Sequence, residues 1–441
     1  MAMVVKNNMS ALSTLNTLNR NTKALSKSLQ KVSSGMKINS AADDASGYAI
    51  SERMRVQIRS LDQANSNAQN GGSMMKVAEG AVSSTVEILK TLKEKAVNAA
   101  NDTNTDADRQ TIQKELDQSI DQINDNANVT FNGQYLVDGS KNSKTTGTST
   151  ALTNQSLSTD TASGTGLTAL KARNGDSLNI QSTDTVTVSW VKDGKTYTAS
   201  TEVGTKSTLN SIMTSLKTAD SHNLSDDVKL SAKNTSYIEM DGSNNTVYTA
   251  SGENAITITS KGTGIENQIS GFTISITDNT GAVRKSANAA LDAFDETLRA
   301  QNKSVDNSIN LQIGTKANQT IKVGLTDMKA QALGLQGKDN NTIQVGNQKQ
   351  ANAAINVLDA AIQKALDQQT TIGAVQSRLE YTQSNLTTAS ENVTAAESTI
   401  RDADMAKEMT EYTKNNVLMQ AAQSMLAQAN QSSSNVLSLL Q

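Results

Sequence analysis

A chain that performs chemistry must bring nucleophiles, bases or metal ligands together, and few residues here have the right types. His222, within SHNLSDD, is the only histidine, and there is no cysteine. A histidine-rich metal site and a cysteine nucleophile are therefore excluded within one chain. Two adjacent acidic pairs, Asp43-Asp44 and Asp226-Asp227, offer carboxylates. Adjacency is not the convergent geometry that acid–base catalysis needs, so helix capping, solvation or pairing between subunits is the expectation. The segment KGTGIEN at 261–267 lacks the Lys-Ser/Thr ending of a phosphate loop and reads as a turn. Met405, Met409, Met419 and Met425 read as adaptable packing rather than a cofactor box. The sequence thus points to a protein that is not an enzyme, with no catalytic, cofactor-binding or metal residues.

The composition restricts the remaining classes. The 441 residues suffice for several domains, but 36% hydrophobic and 2% aromatic content allow only modest cores and an extended molecule. With no proline, nothing in the sequence forces a long helix to kink. The formal charge is -3 with dispersed lysines and arginines, so no nucleic-acid partner is expected. No window approaches the roughly 18 apolar residues that cross a bilayer, so no membrane insertion is expected. The opening MAMVVKNNMSALSTLN has no secretory-signal pattern, and any export is expected to use another route.

The strongest patterning lies at the two ends. Leu15, Leu18, Leu25, Leu29 and Val32 follow a three-four repeat, with Thr22 filling one position, in a helix over residues 8–33 closed by Ser33-Ser34-Gly35. Ile372, Val375, Leu379, Thr382, Leu386, Ala389, Val393, Ala396, Ile400 and Ala403 keep that spacing for more than four heptads. Met405, Met409, Tyr412, Met419, Ala422, Leu426 and Ala429 extend it towards a tail with no charged side chain after Lys414. Ordering one residue costs about 1–2 kcal/mol, and burying one aliphatic side chain returns roughly 1.5–3 kcal/mol. The five apolar residues between Leu15 and Val32 cannot offset the ordering of that whole stretch. The end helices are therefore expected to order only when packed on each other and on copies of the chain, and such contacts can propagate into an open helical polymer. A plain intramolecular bundle is the simpler alternative.

Between the ends, Ser40 reads as a helix cap, and a stripe from Leu61 to Ala99 reads as a long helix. Another helix begins at Arg109 with Asp106 as its cap, and a strand-turn element covers Val129–Leu136. From about Asp138 the Ser/Thr-rich stretch reads as an irregular surface connection whose hydroxyls could accept O-linked modification. Strands are expected in TVTVSWVKDGKTYTA with a turn at Asp193-Gly194, in AITITS at 255–260 and in FTISIT at 272–277, with a short helix around Leu209–Leu216. Residues 283–302 read as helical, 309–325 as a ribbon, and 353–369 and 371–403 as two helices.

These segments resemble bacterial flagellin, the subunit of the flagellar filament. The resemblance is carried by ALSTLNTLNRNTKALSKSLQKVSSGMKINSAADDASGYAISERMRVQIRSLDQANSNAQNGGSMMKVAEGA from Ala11 and by ESTIRDADMAKEMTEYTKNNVLMQAAQSMLAQANQ near the end. FNGQYLVDGS and LQIGTKANQTIKV match more weakly, and together the matches cover roughly residues 1–140 and 305–441. The expected fold is mainly α, with a terminal helical coiled coil and bundle core and a β-containing outer insertion. Residues 1–40 and 401–441 would form the coiled-coil assembly domain, 41–140 and 305–400 the helical bundle with its β-ribbon, and 141–304 a variable outer α+β or mostly β domain.

The resemblance implies a secreted homopolymer that forms the flagellar filament and transmits motor torque for swimming. It implies an export chaperone, the flagellar export apparatus, and filament cap and hook-junction proteins as partners. Assembly would rest on Leu15, Leu18, Leu25, Leu29, Val32, Met405, Met409, Met419 and Leu426. Flagellins are also recognised by a vertebrate Toll-like receptor. Strong activators carry Arg and Leu where this chain has Thr91 and Lys95, whereas the acidic member persists as Glu115. Loss of a guanidinium fork and an apolar contact implies weak or altered signalling. A secreted adhesin using the middle domain is the alternative function.

Overall fold

Helix-forming periodicity dominates both ends of the chain, and β-branched alternation dominates its middle. The computed structural model describes residues 8–216, 223–231 and 236–439; His222 lies outside them. In chain order the elements begin with α1 (Met9–Ser34), α2 (Ala45–Ala99), α3 (Asp106–Ala127), β1 (Thr130–Phe131), β2 (Gln134–Tyr135) and β3 (Ala151–Asn154). Then follow β4 (Thr185–Lys192), β5 (Lys195–Glu202), α4 (Leu209–Ser215), α5 (Leu224–Asp227), β6 (Val228–Leu230), β7 (Tyr237–Met240) and β8 (Thr246–Tyr248). The chain continues with β9 (Ile256–Ser260), β10 (Ile269–Thr277), α6 (Lys285–Leu291), β11 (Phe294–Leu298), β12 (Ile309–Gln312) and β13 (Thr320–Val323). It closes with α7 (Ala330–Leu333), α8 (Gln348–Arg401) and α9 (Met405–Leu439). The chain is mainly helical at its ends, where α1 and α9 pack together, and carries a β-containing insertion between them.

Two units are distinguished. The first comprises Met1–Ala68, Gln312–Gln319 and Tyr381–Gln441. Its buried contacts include Leu61 and Ala64 of α2 against Leu386 of α8, with Ala389 and Val393 alongside. Small residues there let two helix backbones approach closely. Helix α1 ends on Gly35 at φ 71°, a left-handed cap that returns its N–H to the Lys31 carbonyl.

The second unit comprises Gln69–Leu311 and Thr320–Glu380. One of its sheets runs β10-β4-β5 and another β11-β3-β9-β6, and β1-β2 and β7-β8 form two-stranded ribbons. A shared core gathers on Trp190, which is fully buried and stacks on Tyr197 with centroids 5.5 Å apart, and includes Phe272. The turn between β4 and β5 places Asp193 at φ 54° and Gly194 at φ 73°, as a two-residue hairpin requires.

Several expectations are corrected. Thr105, not Asp106, caps α3, through a reciprocal pair with Asp108; Asp106 sits in the first turn. Ser40 does not cap α2: the Asp44 carboxylate accepts from the Ser46 and Gly47 N–H groups at 3.1 and 3.0 Å. The stretch after Asp138 is not merely a surface connection, because it contains β3, buried at every position. Residues 283–302 are not one helix; α6 stops at Leu291, and β11 then pairs with β3. The two helices expected over 353–403 are the single helix α8.

Candidate assembly surface

Within the first unit, α1 and α9 run antiparallel, and the pairing uses a narrower and more polar seam than the leucine stripe suggests. On α1 the positions turned from solvent are Ala11, Thr14, Leu18, Asn21, Leu25, Ser28 and Val32, a 3-4 repeat. On α9 the matching line is Glu408, Tyr412, Asn415, Met419, Ala422, Leu426 and Ala429. Four polar contacts punctuate it. Asn8 Nδ2 donates to the Ala429 carbonyl at 3.2 Å, Asn21 Nδ2 to the Leu418 carbonyl at 3.2 Å, and Asn415 Nδ2 to Ser28 Oγ at 3.1 Å. Lys31 Nζ lies 3.1 Å from Glu408 Oε1. Such contacts specify register and direction more than they stabilise, because each is satisfied only in one alignment.

The structure therefore divides the sequence-derived residues. Leu18, Leu25, Val32, Met419 and Leu426 are half-buried in the seam. Leu15, Leu29, Met405 and Met409 are exposed, at 41%, 51%, 43% and 45%. They share that exposure with Met425, which the sequence reading took as adaptable packing, and with Leu12, Val417 and Leu418, which it omitted. Leu12, Leu15 and Leu29 lie one residue beyond seam positions, about 100° further round the helix. The overlooked signal was this second stripe, offset by one residue from the first. The α1–α9 pair thus has one satisfied seam, and beside it apolar side chains that stay exposed among the described residues: Leu12, Leu15 and Leu29 on one flank of α1, and Met409 and Met425 on opposite flanks of α9.

The other sequence-derived candidates resolve into structural roles. Asp43 accepts from the Asn39 and Ser40 N–H groups at 3.2 Å each and pairs with Lys27 at 2.8 Å. The Lys27 hydrogen bond, helped by those amides and opposed by partial burial, lowers the Asp43 carboxyl to about 2. In the second unit, Asp227 accepts from Trp190 Nε1 at 2.9 Å and from Lys192 Nζ at 2.7 Å, so it anchors the core. The KGTGIEN segment bends at Gly264, φ 91°, into a single turn of 3-10 helix over Ile265–Asn267. A cavity of about 330 Å³ is lined by Asp138, Arg299, Asp327, Lys364 and Asp367 among others. Its charges are engaged internally: Arg299 pairs with Asp367 and Glu296, and Lys364 donates to the Ala332 carbonyl. Among the described residues, no group of three or more His, Cys, Asp or Glu side chains could hold a metal ion. No described helix is long and apolar enough to cross a membrane.

Thr91 and Lys95 lie one turn apart on α2, and Lys95 Nζ is 2.9 Å from Glu115 Oε1 on α3. The Thr91 hydroxyl is exposed and donates back to the Glu87 carbonyl at 3.1 Å. Glu115, half exposed, is thus partly neutralised by a neighbour in the same chain.

With its first and last helices paired and a β-containing insertion between them, the architecture fits the class of self-assembling structural subunits. Residues 5–142 match the bacterial flagellin N-terminal helical region, and residues 355–440 match the bacterial flagellin C-terminal helical region. Flagellin of Clostridium tyrobutyricum is 36% identical over 97% of this chain and 99% of its own. Flagellin of Bacillus subtilis strain 168 is 32% identical, covering 99% of this chain and 100% of its own. A flagellar hook associated protein-3 from Legionella pneumophila superimposes over 78% of this chain and 97% of its own, with 16% identity and a TM-score of 0.33, too loose to inform the fold. The chain belongs to the bacterial flagellin family, and its function is that of a self-assembling flagellar filament subunit.

Proposed function

We propose that the exposed edge of the α1–α9 pair is the surface that sister subunits cover in the filament, and that the stiff polymer so formed transmits motor torque. The supporting observation is that Leu12, Leu15, Leu29, Met409 and Met425 remain exposed although the two helices already pair. Because each such side chain is already about half covered, burying the rest contributes roughly half of the 1.5–3 kcal/mol of a full burial, a gain that favours association in sum. The terminal helices are the coiled-coil assembly domain of this reading. Residues 41–140 and 305–400 are its helical bundle with a β-ribbon, and 141–304 its outer domain. The subunit reaches the filament through the flagellar export apparatus with a chaperone, and meets cap and hook-junction proteins there. Replacing both edge leucines, Leu15→Asp with Leu29→Asp, should abolish polymerisation seen by electron microscopy while leaving the fluorescence of Trp190 native. Long filaments from that variant would refute the edge assignment.

Receptor signalling by this subunit is weak on the same reading. Thr91 offers no guanidinium, Lys95 offers no apolar contact, and the Lys95 ammonium occupies Glu115. Purified monomer should activate a Toll-like receptor reporter poorly, and Thr91→Arg with Lys95→Leu should raise its potency by about tenfold or more. An unchanged dose response in the double variant would exclude these residues as the limiting contacts.

A further inference from the structure

Arg401 is a charged side chain buried at a helix junction, next to Ile400 of the apolar stripe. It is the last residue of α8 and is 5% exposed. Its Nη1 lies 2.6 Å from Glu52 Oε1 and 3.3 Å from Ser51 Oγ, and its guanidinium carbon lies 5.3 Å from the centroid of the Tyr48 ring. All three partners belong to the first two turns of α2. The Arg401 carbonyl accepts the Lys37 N–H at 2.7 Å, and the Ala403 N–H donates to the Gly35 carbonyl at 2.9 Å. These bonds frame an isolated antiparallel bridge between Met36 and Asp402. One residue therefore ties together the end of α8, the start of α2 and the segment leaving α1.

The arrangement is a poor choice if stability were its only purpose. The Arg401 Nε–H is buried with no acceptor, and a buried ion pair is often no better than apolar packing of the same volume. What a planar guanidinium adds is geometry: hydrogen bonds in its plane and a ring against its face fix rotation as well as distance. Its place at a helix C-terminus also complements the helix dipole. The link between α8 and α9 is short, residues 402–404 alone, whereas α1 and α2 are joined by residues 35–44.

We infer that Arg401 is a positioning residue for assembly, setting the direction in which α1 and α9 leave the joint and hence the lattice in which their apolar edges meet. The inference rests on the assembly reading above. Because a head-to-tail contact repeats from copy to copy, an angular error at one joint is multiplied along the polymer. Loss of the clamp should alter filament curvature even where folding survives.

The test compares full-length wild type with Arg401→Ala, Arg401→Lys and Glu52→Gln. Critical concentration is measured by sedimentation, waveform by electron microscopy, and integrity of the second unit by unfolding monitored through Trp190. Arg401→Ala should raise the critical concentration at least about tenfold, or change the waveform where filaments form, with the Trp190 transition unmoved. Arg401→Lys should restore the charge without restoring the waveform, and Glu52→Gln should shift both readouts in the same direction by less. Should Arg401→Ala lose the native Trp190 signal, the decision passes to Glu52→Gln, whose wild-type behaviour would then overturn the inference. Wild-type critical concentration and waveform in both Arg401 variants, or full rescue by lysine, would also overturn it while leaving the assembly reading intact. A wild-type chain that never polymerises would remove the assembly reading and this inference with it.

Discussion

At the residue scale, side chains with chemical potential are consumed by local geometry. The Asp43-Asp44 pair was legible as capping, but not its division of labour: Asp44 holds the first amides of α2, whereas Asp43 closes the loop at Asn39 and Ser40 onto Lys27. The partner Lys27 is sixteen residues away and could not be named from spacing alone. The low Asp43 carboxyl carries a pH dependence. In the native chain it stays charged down to about 2, whereas in the unfolded chain it protonates near the ordinary 3.8. Between those values the unfolded state binds more protons, so this contribution is complete above about pH 5 and is lost as pH falls towards 2. The protection of the Asn39 and Ser40 amides, taken relative to the unfolded-chain exchange rate at each pH, should therefore fall as pH drops from about 4 towards 2 in the wild type. Asp43→Asn should show low protection at those amides already at neutral pH and lack that acid step, and identical protection profiles would contradict the assignment.

At the scale of elements, long periodic helices and the hairpin with Asp193-Gly194 were legible because each satisfies itself locally. The failures share a cause, which is tertiary pairing overriding composition. Thr145, Thr148, Ser149, Thr150 and Thr153 look solvent-loving, yet all are buried. Thr148 Oγ1, for instance, donates to the Arg299 carbonyl at 2.6 Å, and a hydroxyl so bonded can be buried cheaply. Those five hydroxyls are correspondingly poor candidates for O-linked modification. The segment FDETL has helix-forming residues but becomes β11 because β3 offers an edge, with the Glu296 carboxylate turned towards Arg299. At the β4–β5 turn, a Cβ on Gly194 would lie 1.9 Å from the Asn341 carbonyl oxygen, in addition to the positive φ. Gly194→Ala should therefore destabilise the second unit by at least about 2 kcal/mol in Trp190-monitored denaturation. A change below about 0.5 kcal/mol would show that the 337–341 loop yields freely.

At the scale of the whole molecule, the sequence showed that the ends need partners but not which side chains the intramolecular partner would satisfy. The leucine stripe of α1 reads as one surface, and folding splits it: Leu18, Leu25 and Val32 turn to α9, while Leu15 and Leu29 stay outside. Asn21, Ser28 and Asn415 were invisible as interface residues because single polar positions inside a heptad look like interruptions, not register marks. Assembly is then a second step, in which copies cover the edge left by the first. Hydrogen exchange read peptide by peptide across α1 and α9, on monomer and on filaments of the same preparation, addresses this most directly. Peptides carrying Leu12, Leu15, Leu29, Met409 and Met425 should exchange rapidly in the monomer and become protected in the filament, while Trp190 peptides remain unchanged. Equal protection of those peptides in both states would contradict the account.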